Sequence, residues 1–170
     1  VGNIGNPLVK GLVKSGTARP EDVYIYDVDS SRMEELVKET GVTPCENNIQ
    51  LVRECDYIVL AIKPIFVRQV LEEIRDVFTK DKVLVSIVVG VTTNTLRSIL
   101  YDDAKVVRAI PNLPVMVGEG MTLIYFPKNI SQGEKKIAKS IFESCGKVDE
   151  LDESLMSEVT SLISSSPAYV

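Results

Sequence analysis

Val1-Gly2-Asn3-Ile4-Gly5 runs directly into a helical stretch, and Val23-Tyr24-Ile25-Tyr26-Asp27 follows it as an apolar strand ending on a carboxylate. Between them, Ile4, Leu8, Val9, Leu12 and Val13 recur at helical spacing over residues 3–15, and Gly16 supplies the stop. Glycines at a helix start let the backbone approach an anion and let the helix pack closely on a strand. One further glycine ahead of Val1 would make the opening G-V-G-N-I-G, a fingerprint for dinucleotide binding. Asp27 stands 25 residues (27 − 2) after Gly2, near the position expected to read an adenosine ribose. Two glycines near a helix are also ordinary turn chemistry, so the motif gains weight only from its surroundings.

Those surroundings alternate strand and helix. Residues 42–45, 57–62, 82–89, 105–110, 121–126 and 147–150 are further predicted strands, several of them almost wholly apolar. Such runs mark strands covered on both faces, as in a parallel sheet. Helices are predicted from Ser30 or Ser31 through Lys38, with Glu34 in capping-box position and Gly41 at the stop. Others are expected over 47–54, from Lys63-Pro64 to about Phe78, over 92–100, over 132–144 and from Ser154 onward. A Pro- and Gly-rich loop spans 111–120. The expected fold is α/β: a Rossmann-type, doubly wound, mostly parallel sheet with right-handed crossovers. Residues 1–150 form the predicted nucleotide-binding domain, its first strand missing. Near Leu151 the alternation gives way to a helix, read as the truncated start of an all-α domain over 151–170.

Composition narrows the chemistry. The 170 residues carry 19 Lys+Arg against 24 Asp+Glu, a net charge of −5, which argues against nucleic-acid or anionic-membrane partners. A hydrophobic fraction of 45% excludes general disorder. No histidine is present, which removes Ser-His-Asp and Cys-His catalysis and His-ligated metal sites, and no metal site is predicted. Cys45, Cys55 and Cys145 form no CxxC pair and read as reduced, mostly buried thiols of a cytoplasmic protein. No apolar run approaches a membrane span and no signal peptide is evident. The chain starts at Val1 inside a motif and stops on Ser166-Pro167-Ala168-Tyr169-Val170, so both ends look cut.

Asp27 favours a free ribose 2′-hydroxyl, as in NAD. Ser30, Ser31 and Arg32 lie just beyond it, and the Arg32 guanidinium could instead pair with a 2′-phosphate, as in NADP, or Arg32 is simply a solvated residue on a helix face.

Four further stretches carry a family resemblance: Ala61-Ile62-Lys63-Pro64; Ser86-Ile87-Val88-Val89-Gly90-Val91; Arg108-Ala109-Ile110-Pro111-Asn112-Leu113-Pro114 with Gly118-Glu119-Gly120-Met121; and Thr160 through Pro167-Ala168-Tyr169-Val170. Their order and spacing resemble the pyrroline-5-carboxylate reductase family over essentially the whole chain. The resemblance implies an NAD(P)H-dependent imine reductase that makes proline from 1-pyrroline-5-carboxylate. It also implies a homodimer or higher homo-oligomer assembled through a C-terminal helical domain, with NADPH slightly favoured and NADH left open. By the same resemblance Gly2, Asn3, Ile4 and Gly5 cradle the pyrophosphate, and Asn48 lies near the adenosine. Ala61, Ile62, Lys63 and Pro64 line the cofactor, Ile87, Val88 and Val89 approach the nicotinamide, and Pro111 and Asn112 form the mouth shared with substrate. No catalytic residue is assigned. Hydride transfer to an already electrophilic iminium needs orientation rather than a nucleophile or a metal.

Two departures stand out. Leu113 occupies the position of a family threonine, and Ser164-Ser165-Ser166 replaces a Gly-Ser-Gly run. They fit a diverged, non-catalytic or regulatory paralogue such as a competence-associated reductase-like protein. A third alternative is another small-substrate dehydrogenase of this fold, such as a β-hydroxyacid dehydrogenase.

Overall fold

The structure is a computed structural model that describes the backbone of residues 2–165 and the side chains of residues 2–160. Residues 166–170, which end the fourth motif, lie outside it, as does Val1. In chain order the elements are α1 (Gly5–Lys14), β1 (Tyr24–Ile25), α2 (Ser30–Thr40), β2 (Thr43–Pro44), α3 (Asn48–Glu54), β3 (Tyr57–Leu60) and α4 (Val67–Ile74). There follow β4 (Val83–Ser86), α5 (Thr93–Ile99), β5 (Lys105–Pro111), β6 (Gly120–Tyr125), α6 (Gln132–Glu143), β7 (Gly146–Glu150) and α7 (Glu153–Ser165). Strands β3-β4-β5-β6-β7 form one sheet in sequence order, parallel except where β6 runs against β5. The strands β1 and β2 pair in parallel as a separate two-stranded sheet.

The apolar runs are buried on both faces, as a doubly wound sheet requires. All four residues of β4 are buried: Val83 and Val85 pack beside Leu8, Val107 and Phe142, while Leu84 faces Leu71, Leu96 and Val106 on the other side. Helix α1 joins the two sheets, because Leu8 enters the first of these clusters and Val9 packs with Ile25, Leu36 and Val42. Strand β7 is the outer strand and carries Lys147, Asp149 and Glu150, charges that discourage edge pairing.

Local chemistry corrects several expected boundaries. The cap of α2 is Asp29, whose carboxylate accepts the Arg32 N–H, rather than Ser30 or Ser31, and no Glu34 box forms. Asp29 wins because Asp27 Oδ1 accepts the Asp29 N–H at 2.9 Å, and that turn starts the helix one residue early. The strands expected over 57–62 and 82–89 stop at Leu60 and Ser86, where the chain bends out of the sheet. The helix after Lys63 opens as a 3-10 turn over Pro64–Phe66 and ends at Ile74. The loop over 111–120 contains another 3-10 turn, Leu113–Val117, closed by Gly118.

The capping box belongs to α6: Ser131 accepts the Glu134 N–H, and Glu134 accepts the Ser131 N–H at 2.8 Å. Burial alone would raise the Glu134 pKa, but hydrogen bonds from Lys105 and Ser131 outweigh it and hold the carboxyl below its ordinary 4.5. The folded state thus releases this proton more readily than the unfolded chain. The stabilisation is complete above the ordinary pKa and is lost as pH falls below it. Thermal melts between about pH 3 and 6 should show a shallower acid decline for Glu134→Gln than for the wild type. Parallel declines would exclude this carboxylate as a contributor.

Candidate nucleotide site

The carboxyl ends of β3, β4 and β5 and the amino ends of β6 and β7 share one edge of the sheet. Open α/β sheets bind ligands outside such an edge. The loops leaving it hold Ala61–Lys63, Ile87–Val91 and Asn112–Glu119. The 3-10 turn Leu113–Val117 packs on α1, and Cys145 Sγ, just before β7, lies 3.3 Å from the Pro7 carbonyl in the first turn of α1. The start of α1 is therefore held against this same edge.

That start is open to an anion. The residue before α1, Ile4, offers no side-chain cap, and the first turn contains no acidic residue. In the first turn the Asn6 N–H donates to the Gly2 carbonyl at 3.1 Å, and Pro7 carries no N–H. What favours a phosphate here is the positive end of the dipole of a ten-residue helix, together with the approachable backbone at Gly2–Gly5. Gly2 is half-buried, Asn3 exposed and Gly5 buried. A groove of about 1090 Å³ runs from Gly2 and Asn3 along α1, with Arg32 on one wall and Met116 on the other.

Of the residues read from the sequence as cofactor-binding, Gly2, Asn3 and Arg32 are those among the described residues that line that groove. Arg32 pairs with Asp29 at 3.2 Å, an exposed contact that a phosphate can readily replace. Ser30 is exposed in the first turn of α2, and Asp27 is half-buried at the end of the β1 segment. Asn48 is engaged elsewhere: its Nδ2 donates to Glu73 of α4 at 2.9 Å. Lys63 and Pro64 are exposed, while Ala61 and Ile62 are half-buried at the β3 exit. Val88 buries its side chain in the core and turns only backbone toward the edge; Ile87 is half-buried and Val89 exposed. Pro111 pairs with Thr122 of β6. Asn112 clamps the next loop, its Oδ1 accepting the Met121 N–H at 2.8 Å. Its Nδ2 donates to no described residue and is available at the mouth.

Cys45 and Cys55 are poorly disposed to act as nucleophiles. Burial, then the neighbouring Cys45, pushes the Cys55 thiol up to about 11, and burial also raises Cys45. Among the described residues no group of three His, Cys, Asp or Glu could hold a metal, and no helix is long and apolar enough to cross a membrane. Sequence reasoning missed one buried cluster. Arg108, Thr93 and Glu153 meet beneath the site's edge. A lone arginine inside the apolar run of β5 was the available signal, since a buried charge must find a partner.

The fold and this edge are those of a Rossmann-type, mostly parallel α/β domain. The chain belongs to the family described as NADP oxidoreductase, coenzyme F420-dependent, which matches residues 1–90. It is 33% identical to the pyrroline-5-carboxylate reductase of Methanosarcina acetivorans, over 99% of this chain and 63% of that protein. A pyrroline-5-carboxylate reductase structure from Coxiella burnetii superposes with a TM-score of 0.94 at 30% identity, covering 99% of this chain and 63% of that one. The Plasmodium falciparum pyrroline carboxylate reductase with NADP bound superposes with a TM-score of 0.88 at 31% identity, over 99% and 61%. The resemblance read from the motifs is thus borne out along the chain, which spans a little under two thirds of these relatives.

Proposed function

We propose that this chain is the nucleotide-binding part of a reductase that converts 1-pyrroline-5-carboxylate to proline with NADPH or NADH. The observation that carries this reading is the uncapped, acid-free start of α1, packed against the strand-end loops. It fits a pyrophosphate, and a similar chain, that of Plasmodium falciparum, is a reductase with NADP bound. When bound, the nicotinamide would supply the hydride that reduces the protonated C=N bond of the substrate to the ring amine of proline. Residues of this chain do the positioning. Gly2–Gly5 hold the pyrophosphate, with Asp27, Ser30 and Arg32 at the ribose and Asn48 nearby once it leaves Glu73. Ala61–Pro64, Ile87–Val89, Pro111 and Asn112 form the wall around the nicotinamide and exclude water. Residues 1–150 are the nucleotide domain, and α7 opens the helical domain that builds a homo-oligomer in the cytoplasm. The replacement of a family threonine by Leu113, an exposed side chain in the mouth loop, favours one rival: a paralogue that binds nucleotide without turnover.

The test is oxidation of NADPH and of NADH by the full-length protein with 1-pyrroline-5-carboxylate, beside nucleotide titration. Proline formation by the full-length protein, with none from the isolated 170 residues, is expected. Nucleotide binding without turnover of any imine would overturn the reductase and establish the rival.

A further inference from the structure

Arg108 lies within β5, three residues before Pro111, and is only 2% exposed. Its Nη1 sits 3.6 Å from Oε1 of Glu153, the first residue of α7, and its Nε is buried without a hydrogen-bond partner among the described residues. The same carboxylate accepts the Thr93 N–H at 2.8 Å and the Thr93 hydroxyl at 2.7 Å, at the first turn of α5. One side chain therefore joins α7 to two segments that leave the candidate site: the turn over 87–92 leading into Thr93, and the end of β5 leading into Pro111 and Asn112.

A buried ion pair is a poor way to gain stability, because desolvation offsets most of its attraction. An apolar contact of similar size would hold α7 as well. A carboxylate with two hydrogen bonds to one threonine does something an apolar contact does not: it sets direction. It fixes the rotation of the first turn of α5 and, through Arg108, the height of β5 at its exit. Arg108 itself is too deeply buried to touch a ligand.

We infer that Glu153 is a positioning residue. It registers the 87–92 turn and the Pro111-Asn112 loop against α7, so that the nicotinamide wall keeps its geometry. The inference rests on the reductase reading for its kinetic readout. Misplacement of about 1 Å at such a wall costs up to roughly a hundredfold in rate. The adenine half, held by α1 and α2, lies outside its reach.

The experiment uses the full-length protein at a temperature well below its melting point. Thr93→Val is nearly isosteric and Glu153→Gln keeps the side-chain shape, so both should fold. Each is expected to lower kcat about tenfold or more and to raise the NADPH Kd about threefold or more. Affinity for ADP-ribose 2′-phosphate, which spans only the adenine half, stays unchanged. Thr93→Ser retains the hydroxyl and restores wild-type values. Lys105→Met, which removes the ion pair with Glu134 at the opposite end of β5, lowers Tm while leaving kcat unchanged. Wild-type kcat and NADPH Kd in Thr93→Val and Glu153→Gln, with only Tm reduced, would overturn the inference. Absence of imine turnover in the wild type refutes the reductase reading instead. The two nucleotide affinities then decide the role of Glu153 alone.

Discussion

Gly2→Val in the full-length protein is expected to weaken NADPH binding about a hundredfold, roughly 3 kcal/mol, with Tm unchanged. The reason lies in what surrounds this glycine. A Cβ built at Gly2 meets no atom within 4 Å, so the fold places no demand on the position. Gly11 is the contrast, since a Cβ there would run into Cys145 Sγ and the Ser144 carbonyl. A glycine that the protein's own packing does not need, at the head of an uncapped helix, leaves room for something else to approach the backbone. Valine fills that room and keeps the pyrophosphate from the backbone at the positive end of α1. Isothermal titration with NADPH beside a thermal melt separates the outcomes. Unchanged affinity would remove Gly2 from the site, and a parallel fall in Tm would make it structural.

Gly146→Ala should have the largest effect on stability, about 4 kcal/mol or more, because it combines backbone strain with a clash that cannot relax. Gly146 has φ +146° and lies opposite Gly120 in the β6–β7 ladder. An added Cβ would overlap the Gly120 backbone itself, and backbone cannot swing aside as a side chain does. Gly120 is equally confined, its N–H donating to the Cys145 carbonyl at 2.9 Å and its free side packed by Val115. The damage falls beside the Asn112–Met121 clamp, so the mouth loop should loosen with the ladder. In a domain of this size the expected fall in Tm is about 10 °C. A variant melting with the wild type would show that the two strand starts can separate at little cost.

These expectations draw unequally on sequence and structure. The strand at 83–86 was legible because a run of apolar residues asks for cover on both faces, which the helices of a doubly wound sheet provide. The open start of α1 was legible from its glycines. The cap of α2 was not: Asp29, Ser30 and Ser31 are all good caps, and the Asp27 turn chooses among them. Asn48 matched a family position, yet the approach of α4 ties its side chain to Glu73. Val88 sat in a candidate motif, but the bend after Ser86 sends its side chain into the core.

The sequence by itself determined the class of fold, and its motifs pointed to the sheet edge proposed above for a nucleotide. Period, glycine placement and apolar runs are local properties that a chain carries before it folds. The absence of histidine from these 170 residues likewise removed imidazole-based triads and His-ligated metal sites from this part of the protein. Only the tertiary structure decided which glycines serve packing and which leave open space, and which candidates share a groove. It alone brought Glu153 to Thr93 and Arg108, sixty residues away in the first case. Contacts over such separations depend on how helices settle on both faces of a sheet, and no local pattern encodes that.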